Sequence, residues 1–348
     1  MKTLEKFSAT EILGINTPEK LFLVATEDEL KRAYRKLSAL WHPDKNIFTG
    51  KDTNAIFAHI QMLYEKALLR IKNGEWNKAN LWKITDKNGS KFEFRYLVKH
   101  PFEFGTNYVG KSVVAWEFNQ NDLDFADRAI KSIQRLNFAN DKMKVEFKKY
   151  LPEIVKIIDT SNSKILILKK DSDSLSLRDV LNYHKGFVDP KHVAWILSGM
   201  YNLACFNQYN GIMQAGFNLD NYFINPSNHL GQLLGGWWFT HKHEEKLCAL
   251  SSEAVNIAPV KMINNKKADM QLDLELIKLV GRQLLGDSAG VKLNLDKRVP
   301  KELSNWLSDS FNKDAFKTYS IWQKDILLKS FGVRRFTKMN LTVNDIYN

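Results

Sequence analysis

The chain has 348 residues, a formal net charge of +12, and 44% hydrophobic against 26% charged residues, the balance of ordinary globular protein. Its two cysteines, Cys205 and Cys248, exclude a disulfide scaffold and a Cys-rich zinc module. No stretch approaches the roughly 20 apolar residues that cross a bilayer, and the opening MKTLEKFSATEILG has scattered charge rather than a secretory core. A cytoplasmic protein of two or three domains is therefore expected. The Lys and Arg residues are dispersed along the chain, which favours a solvated basic surface over a nucleic-acid footprint.

The first elements are helical. In TEDELKRAYRKLSALW, the residues Leu30, Ala33, Tyr34, Leu37, Leu40 and Trp41 form one apolar stripe at i, i+3, i+4, i+7 spacing. Thr26 and Glu29 make a capping box at its start. The opposite face carries Lys31, Arg32, Arg35 and Lys36. A second stripe of Ile56, Phe57, Ile60, Leu63, Tyr64, Ala67, Leu68 and Ile71 predicts a second helix, with Gly74 suited to its C-terminal cap. The two should pack antiparallel, stripe against stripe. Between them stands His42-Pro43-Asp44, followed by Lys45 and Asn46. Pro43 fixes its own φ and has no N–H, so the helix cannot run on, and His42 and Asp44 are expected outward on a tip.

From Lys83 the periodicity changes. KITDKNGSKFEFRYLVK predicts a β-hairpin turning at Asn88-Gly89. EFGTNYVGKSVVAWEF predicts two more strands broken at Gly110-Lys111, and a helical stretch follows over 122–151. IVKII and KILIL read as strands, and beyond Ser174 the chain is mostly helical, with short strands near YFINP and LGQLL. Strands followed by helices predict separate domains: residues 1–80, then 81–348, the latter with a small β part over 83–169 and a larger helical part over 170–348.

EILGI, DELKRAYRKLSALWHPDKN and FAHIQMLYEKAL together resemble a J domain, the DnaJ-type co-chaperone module. The resemblance implies docking on a DnaK-class (heat-shock) chaperone and stimulation of its ATP hydrolysis. His42, Pro43 and Asp44 would carry the stimulus, with Lys45 and Asn46 beside them. Lys31, Arg32, Arg35 and Lys36 would meet acidic chaperone surface; exposed pairs are worth only about 0–1 kcal/mol each, so such a face steers more than it anchors. Two departures stand out: residues 16–25 lengthen the first loop, and the family's fourth helix is not recognisable after Ile71. With no Gly/Phe-rich linker and no repeated Cys-x-x-Cys, the chain resembles the divergent J proteins, whose remaining domain sets client or location.

The later segments resemble the protein-kinase fold in that family's order: FGTNYVG for part of a glycine-rich loop, VVAWEF for the third strand, NGIMQAGFNLDNYFINPSNHLGQLLGG for the catalytic loop and metal-binding pair, and ADMQLDLELIKLVGRQLLG for the buried helix beyond. The fold expected is thus multidomain α+β: an all-α J-domain hairpin followed by a two-lobed kinase-like domain. Its catalytic positions are mostly empty. Glu117 stands where the phosphate-pairing Lys belongs, and a carboxylate about 4 Å from a phosphate charge would cost roughly 4 kcal/mol at an effective dielectric near 20. Gly216 replaces the base, Asn218 the loop Lys, and Leu234, Gly235 and Gly236 the metal-binding carboxylate segment; only Asn221 keeps its identity. Phosphoryl transfer depends on positioning and charge neutralisation, so the resemblance implies a pseudokinase.

Other constellations are weaker. His241 and His243 with Glu244 or Glu245 could pair as metal ligands but lack a third, Cys205 reads as core filler, and Trp237-Trp238-Phe239 read as core rather than a base-stacking platform. No catalytic residue, metal or cofactor is expected. The function expected is an adaptor that recruits a DnaK-class chaperone to a client held by the second domain. The alternatives are an atypical kinase or nucleotidyl-transfer enzyme using Asp220, Asp273 or Glu117, and a nucleic-acid binder. A cellular chain and a viral one borrowing its host's chaperone both fit this composition.

Overall fold

The computed structural model describes residues 7–15, 17–22, 24, 26–43, 53–72, 76, 80–309 and 314–347. The chain divides into two compact units, Met1–Trp82 and Lys83–Asn348.

The first unit is helical: α1 Ala9–Gly14, α2 Pro18–Leu21, α3 Glu27–Leu40 and α4 Thr53–Lys72. The capping box at α3 forms as expected, Thr26 Oγ1 accepting the Glu29 N–H and Glu29 accepting the Thr26 N–H. Leu30, Ala33 and Leu37 of α3 bury against Ile56, Ile60, Leu63 and Ala67 of α4. Leu40, expected in the stripe, is 45% exposed, at the residue where the helix ends. Residues 16–25, read as loop, contain α2. Leu21 and Phe22 are fully buried in the helical core, and Arg70 of α4 clasps Glu19 with bonds of 2.6 and 2.7 Å. The expected cap at Gly74 lies outside the described residues.

The second unit opens in a hairpin of β1 Leu81–Thr85 and β2 Lys91–Arg95, with Gly89 at φ +82° in the turn, a conformation glycine adopts without cost. A five-stranded antiparallel sheet follows: β3 Val98–Phe102, β4 Gly105–Val109, β5 Val113–Asn119, β6 Ile154–Asp159 and β7 Ser163–Lys169, in spatial order β3-β4-β5-β7-β6. Strand β3 was not foreseen. Residues 122–151 form two helices rather than one, α5 Leu123–Gln134 and α6 Asp141–Lys148, and Asn140 starts the second by accepting the Met143 N–H.

The helical part contains β8 Leu175–Ser176, α7 Leu177–Tyr183, α8 Pro190–Tyr209, β9 Ile212–Met213, β10 Tyr222–Asn225, β11 Leu230–Leu233 and β12 His241–Lys242. Then come α9 Ser252–Ile257, α10 Val260–Asn265, α11 Gln271–Leu284, α12 Lys301–Ser308, α13 Ala315–Ile321, α14 Leu327–Phe331 and α15 Val343–Tyr347. The 20-residue helix α8 is apolar around most of its circumference, as a helix enclosed by its neighbours must be. One core runs from the inner face of the sheet, through Val114, Trp116 and Phe118, into α8 and α11. A small antiparallel sheet with its helix, followed by a larger helical part, is the two-lobed α+β architecture expected.

Candidate functional site

The tip of the first unit is built by the end of α3. The Trp41 N–H closes the last helical turn on the Leu37 carbonyl, and Trp41 leaves the helix at φ −109°, ψ 18°. His42 is exposed, and its ring meets Phe57 of α4 edge-on at 5.7 Å between centroids. The imidazole is thus seated against the second helix rather than projecting clear of it. Phe57 was read only as part of the packing stripe; its role depends on a contact across the 44–52 connection that periodicity does not register. Asp44, Lys45 and Asn46 lie outside the described residues.

On the basic face, Arg32, Arg35 and Lys36 are exposed, and no carboxylate among the described residues pairs with them. Lys31 differs. Its ammonium sits 2.7 Å from Glu27 one turn earlier, and that hydrogen bond raises the Lys31 pKa. The unengaged cations therefore form a row of three. Below them Tyr34 stacks on Tyr64 at 4.1 Å, and His59 bonds the Ile15 carbonyl at 2.9 Å, tying α3 and α1 to α4.

In the second unit the position expected of Glu117 is corrected. Side chains alternate across a strand, and the buried residues of β5 on the inner face are Val114, Trp116 and Phe118. Glu117 points to the other face, where it accepts from the Tyr108 hydroxyl at 3.3 Å and the Ser163 hydroxyl at 3.1 Å. The inward group beneath the β3–β4 turn is Trp116. It packs on Phe102 and Trp238, and its indole N–H donates to the Leu234 carbonyl at 2.8 Å. The cavity that remains between His100, Phe102, Asn107, Trp116, Asp220 and Phe223 is about 10 Å³, room for about one water molecule.

Gly216, Asn218, Asn221, Leu234, Gly235 and Gly236 do converge, but onto one another. The Asn221 amide donates to the Gly216 carbonyl at 2.8 Å, and the Asn221 carbonyl accepts the N–H groups of Leu234 and Gly235. Asn218 Oδ1 caps the turn by accepting the N–H of Asp220 and of Asn221. A Cβ at Gly216 would sit 2.5 Å from the Gly236 Cα, and one at Gly235 would strike Asn221 and the Trp116 ring. Backbone lies directly on backbone between Gly216 and Gly236.

The remaining carboxylates are engaged. Asp220 takes a bidentate contact from Arg178 at 3.0 and 2.9 Å. Asp273 is buried, with a pKa pushed up to about 6 by that burial, and accepts N–H bonds from Ala215 and Gln214 and the Asn207 amide. Asp179 gathers His100 at 3.3 Å, the Ser176 hydroxyl at 2.7 Å and the Tyr347 hydroxyl at 2.7 Å. Tyr347 of α15 thus closes on the segment between sheet and helices, a contact between residues 168 apart in sequence that no local pattern announces.

The weaker candidates resolve simply. His241 is buried and donates from Nδ1 to the Phe239 carbonyl at 2.7 Å, while His243 is exposed; no cluster of three metal-ligating side chains occurs among the described residues. Trp237, Trp238 and Phe239 are all within 3% of complete burial, so none offers a ring to a base. Cys205 is buried and its thiol pKa is pushed up to about 12 by that burial. Among the described residues no helix is long and apolar enough to cross a membrane.

Residues 11–67 match the DnaJ domain family model. Over 55 residues the chain is 42% identical to DnaJ homolog subfamily C member 21 of Danio rerio, a match covering 16% of this chain and 9% of that protein. It is 56% identical over 41 residues to the DnaJ homolog subfamily A member 1 homolog of Dictyostelium discoideum, covering 12% and 9%. It is 46% identical over 41 residues to the chaperone protein DnaJ of Dichelobacter nodosus, covering 12% and 11%. The match thus spans less than a tenth of the length of the first of these relatives. Among solved structures the BubR1 kinase domain aligns with 59% of this chain and 64% of its own, at 18% identity and a TM-score of 0.43.

Proposed function

From the DnaJ domain that residues 11–67 carry, we propose that this chain is a co-chaperone adaptor. Its first unit docks on a DnaK-class chaperone and stimulates that partner's ATP hydrolysis. Its second unit holds a client or partner and transfers no phosphoryl group. The observation that carries the reading is His42, exposed at the end of α3 and braced by Phe57, with Arg32, Arg35 and Lys36 exposed on the same helix. Charge on such a face orients the encounter, while the turn delivers the stimulus. His42, Pro43 and Asp44 are assigned to the stimulus, with Lys45 and Asn46 flanking it.

The non-catalytic assignment of the second unit is supported by Trp116 in the cleft, a residual cavity of about 10 Å³, and carboxylates already bonded elsewhere. In this reading a nucleotide entering beside Trp116 would have to displace the tryptophan. The energy-consuming step belongs to the partner, and this chain acts on it allosterically, through differential binding to the partner's states. We place this activity in the cytoplasm, or in the host's if the chain is viral.

The test is an ATPase assay with a purified DnaK-class chaperone. Wild type should stimulate turnover and His42→Gln should leave it at the basal rate; no stimulation by wild type, or equal stimulation by the variant, overturns the proposal. Pull-downs with wild type and Asp44→Asn separate the partners: those lost belong to the chaperone side, those retained to the second unit.

A further inference from the structure

Between α5 and the segment 240–248 lies a polar groove of about 1020 Å³. None of its lining residues borders the cavity under Trp116. It is just above the roughly 300–1,000 Å³ that ligand sites occupy. Helix α5 contributes Arg128 and Lys131, and Arg135 caps its C-terminus in helical conformation, the three spaced by three and four residues and so on one face, and β12 contributes Lys242. Asp127, also on this wall, is drawn to Lys164 at 2.5 Å.

Arg128 is held by an uncharged group. Because the His241 Nδ1–H donates to the Phe239 carbonyl, its Nε2 carries the lone pair. That lone pair accepts from Arg128 Nη1 at 3.2 Å and from the Cys248 N–H at 3.0 Å. Burial first, and Arg128 among the neighbouring charges, push the His241 pKa below its ordinary value, so the ring stays neutral. Among the described residues no carboxylate lies within ion-pair distance of Arg128, Lys131, Arg135 or Lys242. Thr240, 9% exposed and lining the same groove, has a hydroxyl with no hydrogen-bond partner. A half-buried guanidinium without a counter-charge carries a desolvation cost that an incoming oxyanion offsets, and its fork geometry suits a carboxylate.

The geometry points to this groove as the binding site for an acidic peptide segment of the partner, its carboxylates received by Arg128, Lys131, Arg135 and Lys242. The inference rests on the second unit being the partner-selecting part of the adaptor, and it names the chemistry that part selects. Nucleic acid fits less well. No Phe, Tyr or Trp ring lines the groove, and the His241 ring is buried and bonded at both nitrogens, so nothing is offered to stack a base; Asp124 and Glu245 on its walls repel a continuous polyanion while accepting peptide N–H groups.

The experiment is fluorescence anisotropy of the full chain with a labelled short peptide alternating glutamate and glycine, its carboxylates spaced apart, beside an oligothymidylate of equal charge. The peptide should bind, and the Lys131→Gln/Arg135→Gln double variant should weaken it by about tenfold or more, the scale of one lost charge-assisted contact. Both residues are exposed, so the variant should unfold at the wild-type temperature; Arg128→Gln should weaken binding further. Unchanged binding in both variants, no binding of the peptide by wild type, or tighter binding of the oligothymidylate each overturns the proposal. His42→Gln should leave peptide affinity unchanged. A chain that binds the peptide through these residues but fails to stimulate the chaperone upholds the groove and sinks the co-chaperone reading alone.

Discussion

The indole N–H of Trp116 reaches across the cleft to the carbonyl of Leu234, 2.8 Å away and 118 residues on in sequence. The bond joins the central strand of the sheet to the segment where the kinase resemblance would place a metal carboxylate. It fastens the small part to the large part through a group that also fills the space between them.

Replacing Trp116 tests both roles. Trp116→Ala should destabilise the second unit by about 3–5 kcal/mol, the usual cost of removing a buried aromatic, read as a lower midpoint in denaturant unfolding. Neither wild type nor the variant should be stabilised by ATP with magnesium in a thermal-shift titration, because the glycine-on-glycine packing beneath remains. A stabilisation growing with nucleotide concentration would restore the enzyme reading.

Phe57 meets the His42 ring edge-on, and on the co-chaperone proposal it would position that ring. An edge-to-face ring pair contributes about 0.5–1.5 kcal/mol, so Phe57→Ala should raise the concentration giving half-maximal chaperone stimulation roughly 3- to 10-fold. Phe57→Tyr, which keeps the ring, should restore it. A merely structural role would instead lower the unfolding temperature of the first unit and show no rescue in the stimulation assay at a temperature where both variants are folded.

The His100–Asp179–Tyr347 cluster makes the attachment of α15 depend on pH. The hydrogen bond to Asp179 raises the His100 pKa above its ordinary 6.5, with Asp220 adding to the shift and Arg178 and burial opposing it. Burial pushes Asp179 up, but His100, Tyr347 and Ser176 together leave it below its ordinary 3.8. The histidine's contribution is complete below its unfolded pKa and lost as pH rises through the raised folded value. The aspartate's is complete above its unfolded pKa and lost as pH falls through the lowered one. Protection of the α15 amides in hydrogen exchange should therefore be greatest between about pH 4 and pH 6.5 and should fall on the alkaline side once His100 deprotonates. Asp179→Asn should remove that fall; a profile unchanged in the variant would reject the cluster as its cause.

Much of the first unit could be read directly from residues. Thr26 and Glu29 announce the start of α3, and the stripe spacing identifies the buried faces of α3 and α4. The short helix α2 escaped because four residues carry no period; only the fully buried Leu21 and Phe22 show it is structural. Strand β3 was hidden by Pro101, a residue that normally argues against a strand and is tolerated here because β3 is an edge strand, paired on one side with β4 alone. The outward face of Glu117 is legible in the strand itself. Val114, Trp116 and Phe118 alternate strictly with Ala115 and Glu117, and that period of two already assigns Glu117 to the outer face. His42 on Phe57, Arg178 on Asp220 and Tyr347 on Asp179 are contacts between distant segments, and periodicity within a segment is blind to them.

The contact of Gly216 with Gly236 bears on which substitutions this protein can accept. At Gly216 and Gly236 any side chain meets the other's backbone at about 2.5–2.6 Å, and at Gly235 it meets Asn221 and the Trp116 ring. An aspartate introduced at any of the three by a single mutation would disrupt folding before it could bind a metal. A metal site here would need concerted changes, with Trp116 shrinking while the two chain segments part. A substitution at any one of these three glycines is therefore blocked by its neighbours, and the three positions lock one another.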